Sequence, residues 1–132
     1  MTVLRFTVTE ADTAIALGSG DVPVLATPRL LAWMEAATVQ AAAAGVDPSS
    51  TTVGTEVWVR HRRPSPVGTV VVVEVTASGE TDRGLSFDVV ASNAADPRTG
   101  GATVEVARGR VLRAVVDRAA FVAAATREPA GG

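Results

Sequence analysis

Apolar residues crowd one uninterrupted stretch of the chain and alternate with polar ones almost everywhere else. From Pro28 to Ala44, PRLLAWMEAATVQAAAA, leucine, tryptophan, methionine, valine and alanine fall on every side of a helical wheel. A helix apolar all round belongs inside a protein. Thr27 suits the N-cap, Pro28 suits the first helical position, and Gly45 suits a left-handed C′ stop. Before this helix, residues 2–9 set Leu4, Phe6 and Val8 against Val3, Arg5, Thr7 and Thr9, the period-2 pattern of a half-buried strand. Glu10 to Asp21 is a polar, glycine-bearing connection with no aromatic residue.

After the helix, Asp47-Pro48 begins a turn. Residues 53–63, VGTEVWVRHRR, then place Val57, Val59 and His61 on one face and Glu56, Trp58, Arg60 and Arg62 on the other. Pro64-Ser65-Pro66 ends that strand. Residues 69–77, TVVVVEVTA, are β-branched enough for a third strand, and SGETDRG turns the chain. Residues 85–92 alternate Leu85, Phe87, Val89 and Ala91 against Ser86, Asp88, Val90 and Ser92. Asp96 to Gly101 is a further turn, and a long strand follows over 102–116, with a bulge expected at Gly109. A short surface helix is expected from Asp117, with residues 127–132 as a frayed tail.

Short links between the strands imply an antiparallel meander, with the one long helix standing early and apart. The expected architecture is a single α+β domain over residues 1–132, a five-stranded, mainly antiparallel sheet wrapped on a central helix. Such a sheet is covered on one face only, so self-association as a two-fold homodimer is expected.

Composition narrows the function. The chain has 132 residues, 47% of them hydrophobic and 20% charged, and a net charge of −2. These values describe one globular domain. Weak acidity without a basic tail gives no footing for nucleic-acid binding. With no cysteine, disulfides, thiolate metal sites and a cysteine nucleophile are excluded. The N-terminus lacks a signal-peptide core, and the helix over 28–44, interrupted by Glu35 and Gln40, is too short for a bilayer, so a cytoplasmic protein with no membrane partner is expected.

Two residues depart from the packing pattern. Glu35 lies on the apolar helix with Leu31 one turn before it and Val39 one turn after. A carboxylate so placed needs a partner, since desolvation disfavours its charged form. His61, the only histidine, faces where Val57 and Val59 face. If the two meet, each satisfies the other. Otherwise Glu35 opens to solvent at a seam or pairs with an arginine, and His61 is an ordinary core residue.

The runs VLAT (24–27), WMEAAT (33–38), VGTEVWVRH (53–61) and PSPVGTVVVV (64–73) resemble the hotdog-fold thioesterases, in the subgroup similar to fluoroacetyl-CoA thioesterase. The resemblance runs from about Val22 to the end of the last strand. It implies the hotdog fold and hydrolysis of a short-chain acyl-CoA thioester, with Thr27, Glu35 and His61 as catalytic residues and Gly54 near the thioester carbonyl. It implies no metal and no cofactor, CoA being part of the substrate. Thr27 could equally cap the helix, and Gly54 could mark a bulge or close packing. The attacking group could be Thr27 itself or a water activated by Glu35 or His61. Arg60, Arg62 and Arg63 could meet the phosphates of CoA or form a solvated strand end.

Two other functions fit the same architecture. A hotdog hydratase or dehydratase would want an acid close to the histidine, but Glu56, the nearest, is on the opposite strand face. A non-catalytic module holding an acyl or apolar ligand would keep the cavity without needing both Glu35 and His61.

Overall fold

The computed structural model describes residues 1–81 and 84–127. Its elements are β1 (Thr2–Thr7), a short α1 (Ala14–Leu17), α2 (Thr27–Ala43), β2 (Ser50–His61), β3 (Val70–Thr81), β4 (Gly84–Asn93), β5 (Val104–Asp117) and α3 (Arg118–Thr126). The five strands form one antiparallel sheet in the order β1-β3-β4-β5-β2. Only β3, β4 and β5 follow one another as the expected meander. The segment after His61 carries the chain from one edge of the sheet to the other, so β2 pairs with β5 and β1 with β3. Of the expected tail, residues 128–132 lie outside the described part.

The sheet curls around α2. Leu30, Met34 and Ala37 are fully buried against Val71, Val73, Val89, Val106 and Val111, and Phe6 stacks on Trp33 with ring centroids 4.7 Å apart. Burial of this kind contributes about 1.5–3 kcal/mol for each large side chain. The strand alternation holds throughout: Leu4 and Phe6, Val57 and Val59, Phe87, Val89 and Ala91 face inward.

Four local expectations are corrected. Helix α2 is buried on one side only, because a single curled layer cannot surround a cylinder. Ala32, Ala36, Val39 and Ala43 stay on an open stripe. Its N-cap is Ala26, so Thr27 and Pro28 occupy the first two helical positions and Thr27 makes no capping bond. At the other end Ala44 keeps right-handed helical geometry and Gly45 takes no positive φ. The bulge in β5 falls at Val106, where Ala107 pairs with Ala91 but Glu105 with Ser92. Gly109 stays in register, where a Cβ would lie 2.3 Å from the Trp58 carbonyl oxygen.

The segment before α2 is more ordered than its polar sequence suggests. It contains α1, Thr13 bridges Leu25, and Arg29 forms an ion pair with Asp12 at 3.0 Å. The expected C-terminal helix is present, with the Asp117 carboxylate accepting from Ala120 N–H. No helix among the described residues is long and apolar enough to cross a membrane.

Candidate active site

Helix α2 and strand β2 run alongside each other in opposite directions, so the head of the helix meets the end of the strand. There the Thr27 hydroxyl lies 2.8 Å from Nδ1 of His61. The one-residue shift of the cap produces this contact: a capping threonine would bond its own backbone, whereas Thr27 at the first helical position is free to reach across. His61 arrives by strand parity, on the inward face with Val57 and Val59. Burial pushes its pKa below the ordinary 6.5, and only the backbone of Arg63 pulls it back up. The ring's other nitrogen, Nε2, is buried without a hydrogen-bond partner.

Two turns further along α2, Glu35 finds a different partner. Its Oε2 lies 3.6 Å from Nη1 of Arg113 on β5, and the Glu35 side chain remains 36% exposed while that of Arg113 is 6% exposed. Gly54, on β2 directly opposite Arg113, completes the cluster. A Cβ on Gly54 would stand 2.4 Å from Glu35 Oε2, so the bare backbone is what lets the carboxylate lie against the strand. The register slips between Gly54 and Glu56 at the same place.

The four residues singled out from sequence therefore form two pairs along one seam. Thr27 meets His61, and Glu35 meets Gly54. No hydrogen bond or ion pair joins Glu35 to His61, and of the alternatives open from the sequence it is an arginine that partners Glu35. Eight residues of helix separate Thr27 from Glu35, about 12 Å along the axis.

Arg113 is the residue that the sequence reading missed, and its signal was available. On β5, Ala107, Gly109, Val111 and Arg113 share the inward parity, while Arg108 and Arg110 point out to Glu105 and Asp88. A charge on the inward register of an apolar strand is the same anomaly as Glu35 on its helix. Arg60 lies on the outward face over the Trp58 ring, and Arg63 donates to the Glu105 carbonyl. Among the described residues, no group of three histidine, aspartate or glutamate side chains is placed to hold a metal ion.

A five-stranded antiparallel sheet curled on one long helix, with a polar seam beside that helix, defines the hotdog class, in which acyl-CoA thioesterases occur. The model of the FlK family, fluoroacetyl-CoA-specific thioesterase, matches residues 8–119, and the chain belongs to that family. It is thereby an acyl-CoA thioesterase. A solved structure of the fluoroacetyl-CoA thioesterase FlK is similar over 96% of this chain and 93% of that one, at 27% identity and a TM-score of 0.81. A point mutant of FlK in complex with fluoroacetate and CoA covers 95% of this chain and 96% of that one, at 27% identity and the same TM-score. A hot-dog-like protein from Thermanaerovibrio acidaminovorans shares the fold at 20% identity and a TM-score of 0.78, over 96% and 90% of the two chains. No curated protein sequence matches.

Proposed function

We propose that the protein hydrolyses short-chain acyl-CoA thioesters through Thr27, His61 and Glu35, with Gly54 at the substrate-facing side of the site. The observation that carries this is the 2.8 Å contact between Thr27 Oγ1 and His61 Nδ1, made by a hydroxyl released from capping. A hydroxyl bonded to a neutral imidazole is the nucleophile–base arrangement that acyl transfer uses.

Thr27 Oγ1 attacks the thioester carbonyl carbon as its proton passes to Nδ1. The tetrahedral intermediate collapses, the C–S bond breaks, and the CoA thiolate leaves with the proton from His61. The developing oxyanion sits near the head of α2. There the Thr27 and Arg29 N–H groups have no intrahelical acceptor, and the helix carries partial positive charge. Water then attacks the acyl-threonine. Glu35 accepts its proton and later returns it to solvent, the C–O bond to Thr27 breaks, and the departing Thr27 oxygen takes the proton of the nascent carboxylic acid, which leaves as the carboxylate. The spacing along α2 leaves room for a thioester carbonyl and one water between Thr27 and Glu35.

The chain works as one domain and as a homodimer. The apolar stripe Ala32, Ala36, Val39 and Ala43 and the unpaired edge of β2, a twelve-residue strand, support that assembly. Thiol release from a panel of short acyl-CoAs tests the function, comparing the parent with Thr27→Ala, His61→Ala and Glu35→Gln. Turnover lost in all three variants supports the proposal. Binding without turnover in the parent would mark a ligand-holding module, and unchanged turnover in the variants would reject the residues.

A further inference from the structure

We infer that Arg113 is a positioning residue that holds the Glu35 carboxylate in its working place, an inference that rests on the site proposed above. Its guanidinium is 5% exposed as part of the residue and committed on nearly every edge. Nε donates to Thr52 Oγ1 at 2.9 Å, Nη2 to the Thr52 carbonyl at 3.1 Å, and Nη1 to Thr38 Oγ1 at 3.4 Å. These bonds fix the plane of the group from both walls of the seam, Thr52 on β2 and Thr38 on α2. The remaining direction of Nη1 faces Glu35 Oε2.

Thr38 ties the two residues a second time, because its own hydroxyl donates to the Glu35 backbone carbonyl at 2.7 Å. Gly54 bounds the carboxylate on the strand side. Glu35 is thus confined by bare backbone on one side and by a fixed cation on another. It stays open enough, at 36%, for a thioester or water to reach it.

A purely structural bridge between helix and sheet has a cheaper solution. Replacing a buried ion pair by apolar side chains of similar volume is often neutral or stabilising. Arg108 and Arg110, on the same strand, make their pairs at the surface. Arg113 instead holds its charge where burial penalises it, beside a carboxylate that would otherwise sample the rotamers of a half-exposed glutamate.

The test is a double-mutant cycle on kcat and KM, using the panel substrate that the parent turns over fastest. Arg113→Met is expected to lower kcat by about 10- to 100-fold, the size seen when groups orienting metal-binding side chains are removed, with KM changed by less than the fall in kcat. In a Glu35→Gln background the same substitution is expected to have no further effect on kcat, because residues acting as a unit are non-additive. Arg113→Lys, which keeps the charge without the fork, is expected to recover part of the loss.

An equal loss from Arg113→Met in both backgrounds would make Arg113 a structural brace and overturn the inference while leaving the site intact. Full activity in Glu35→Gln alone would remove the site and the inference together. If Arg113→Met does not fold, Thr52→Val decides. It removes the Nε acceptor at the strand wall, and its smaller effect on kcat must likewise vanish when Glu35 is glutamine.

Discussion

The two polar clusters along the α2–β2 seam are built on opposite terms. Thr27 and His61 share a single hydrogen bond between two uncharged groups, with the ring's Nε2 unfilled and the threonine exposed. Glu35 and Arg113 are charged, bounded by Gly54, and braced by Thr38 and Thr52. Proton transfer needs a donor and acceptor that can exchange roles without moving far. Directing a water needs a carboxylate that does not move at all. The seam supplies a loose pair and a rigid pair, and the division of labour proposed for them can be broken from either end.

The largest effect is expected at the loose pair. His61→Ala removes the proposed base and Thr27→Ala the proposed nucleophile, and each is expected to lower kcat by about 10²–10⁴-fold, the usual contribution of positioned acid–base catalysis. Quenched turnover of the parent is expected to show an acyl adduct on Thr27 by mass spectrometry. An adduct-free parent with Thr27→Ala still active would shift the attack to water.

At the rigid pair, Gly54→Ala places a methyl group where the Glu35 carboxylate lies. Because the contacted atom is the tip of a flexible, partly exposed side chain, the carboxylate is expected to swing away with little loss of stability, within about 0.5 kcal/mol by denaturant unfolding, and kcat is expected to fall. The kcat loss is expected to disappear in a Glu35→Gln background, whereas a loss that persists there would place Gly54's contribution elsewhere, near the thioester carbonyl.

pH separates the clusters further. Burial disfavours the imidazolium, so His61 stays neutral to lower pH than a free histidine. The acid limb of kcat/KM is expected to fall with a midpoint below 6.5 and to be absent from the residual activity of His61→Ala. A midpoint above the ordinary value would mean that the imidazolium is held by an acid, as in a direct Glu35–His61 pair.

The smallest effect is expected on the outer face. Arg60 packs over Trp58 on the side of β2 away from the seam, and Arg60→Ala is expected to change kcat/KM by no more than about two-fold, the range of an ordinary surface substitution. A large rise in KM would return these arginines to the CoA phosphates.

Much of this was legible in the chain. The inward parity of Val57, Val59 and His61, the lone acid on α2 and the five strands all follow from alternation and from what burial forbids. The pairing of the site residues was not legible. One residue of cap placement decides whether Thr27 bonds its own helix or His61, and such boundaries depend on tertiary contacts, here the Thr13–Leu25 bridge and the Arg29–Asp12 pair that set the helix entry. The position of β2 beside β5 was equally hidden, because short links suggest neighbours and the Pro64–Pro66 segment is a crossing. With β2 there, Gly54 stands opposite Arg113, and the acid on α2 finds an arginine before it finds the histidine.

That sheet order also sets a timetable. Among the described residues strand β2, which carries Gly54 and His61, pairs in the sheet with β5 alone, and β5 ends at Asp117. A growing chain emerging from the ribosome can form the core helix and the β3–β4 hairpin early. The strand bearing its imidazole must wait, unpaired, until β5 has been made.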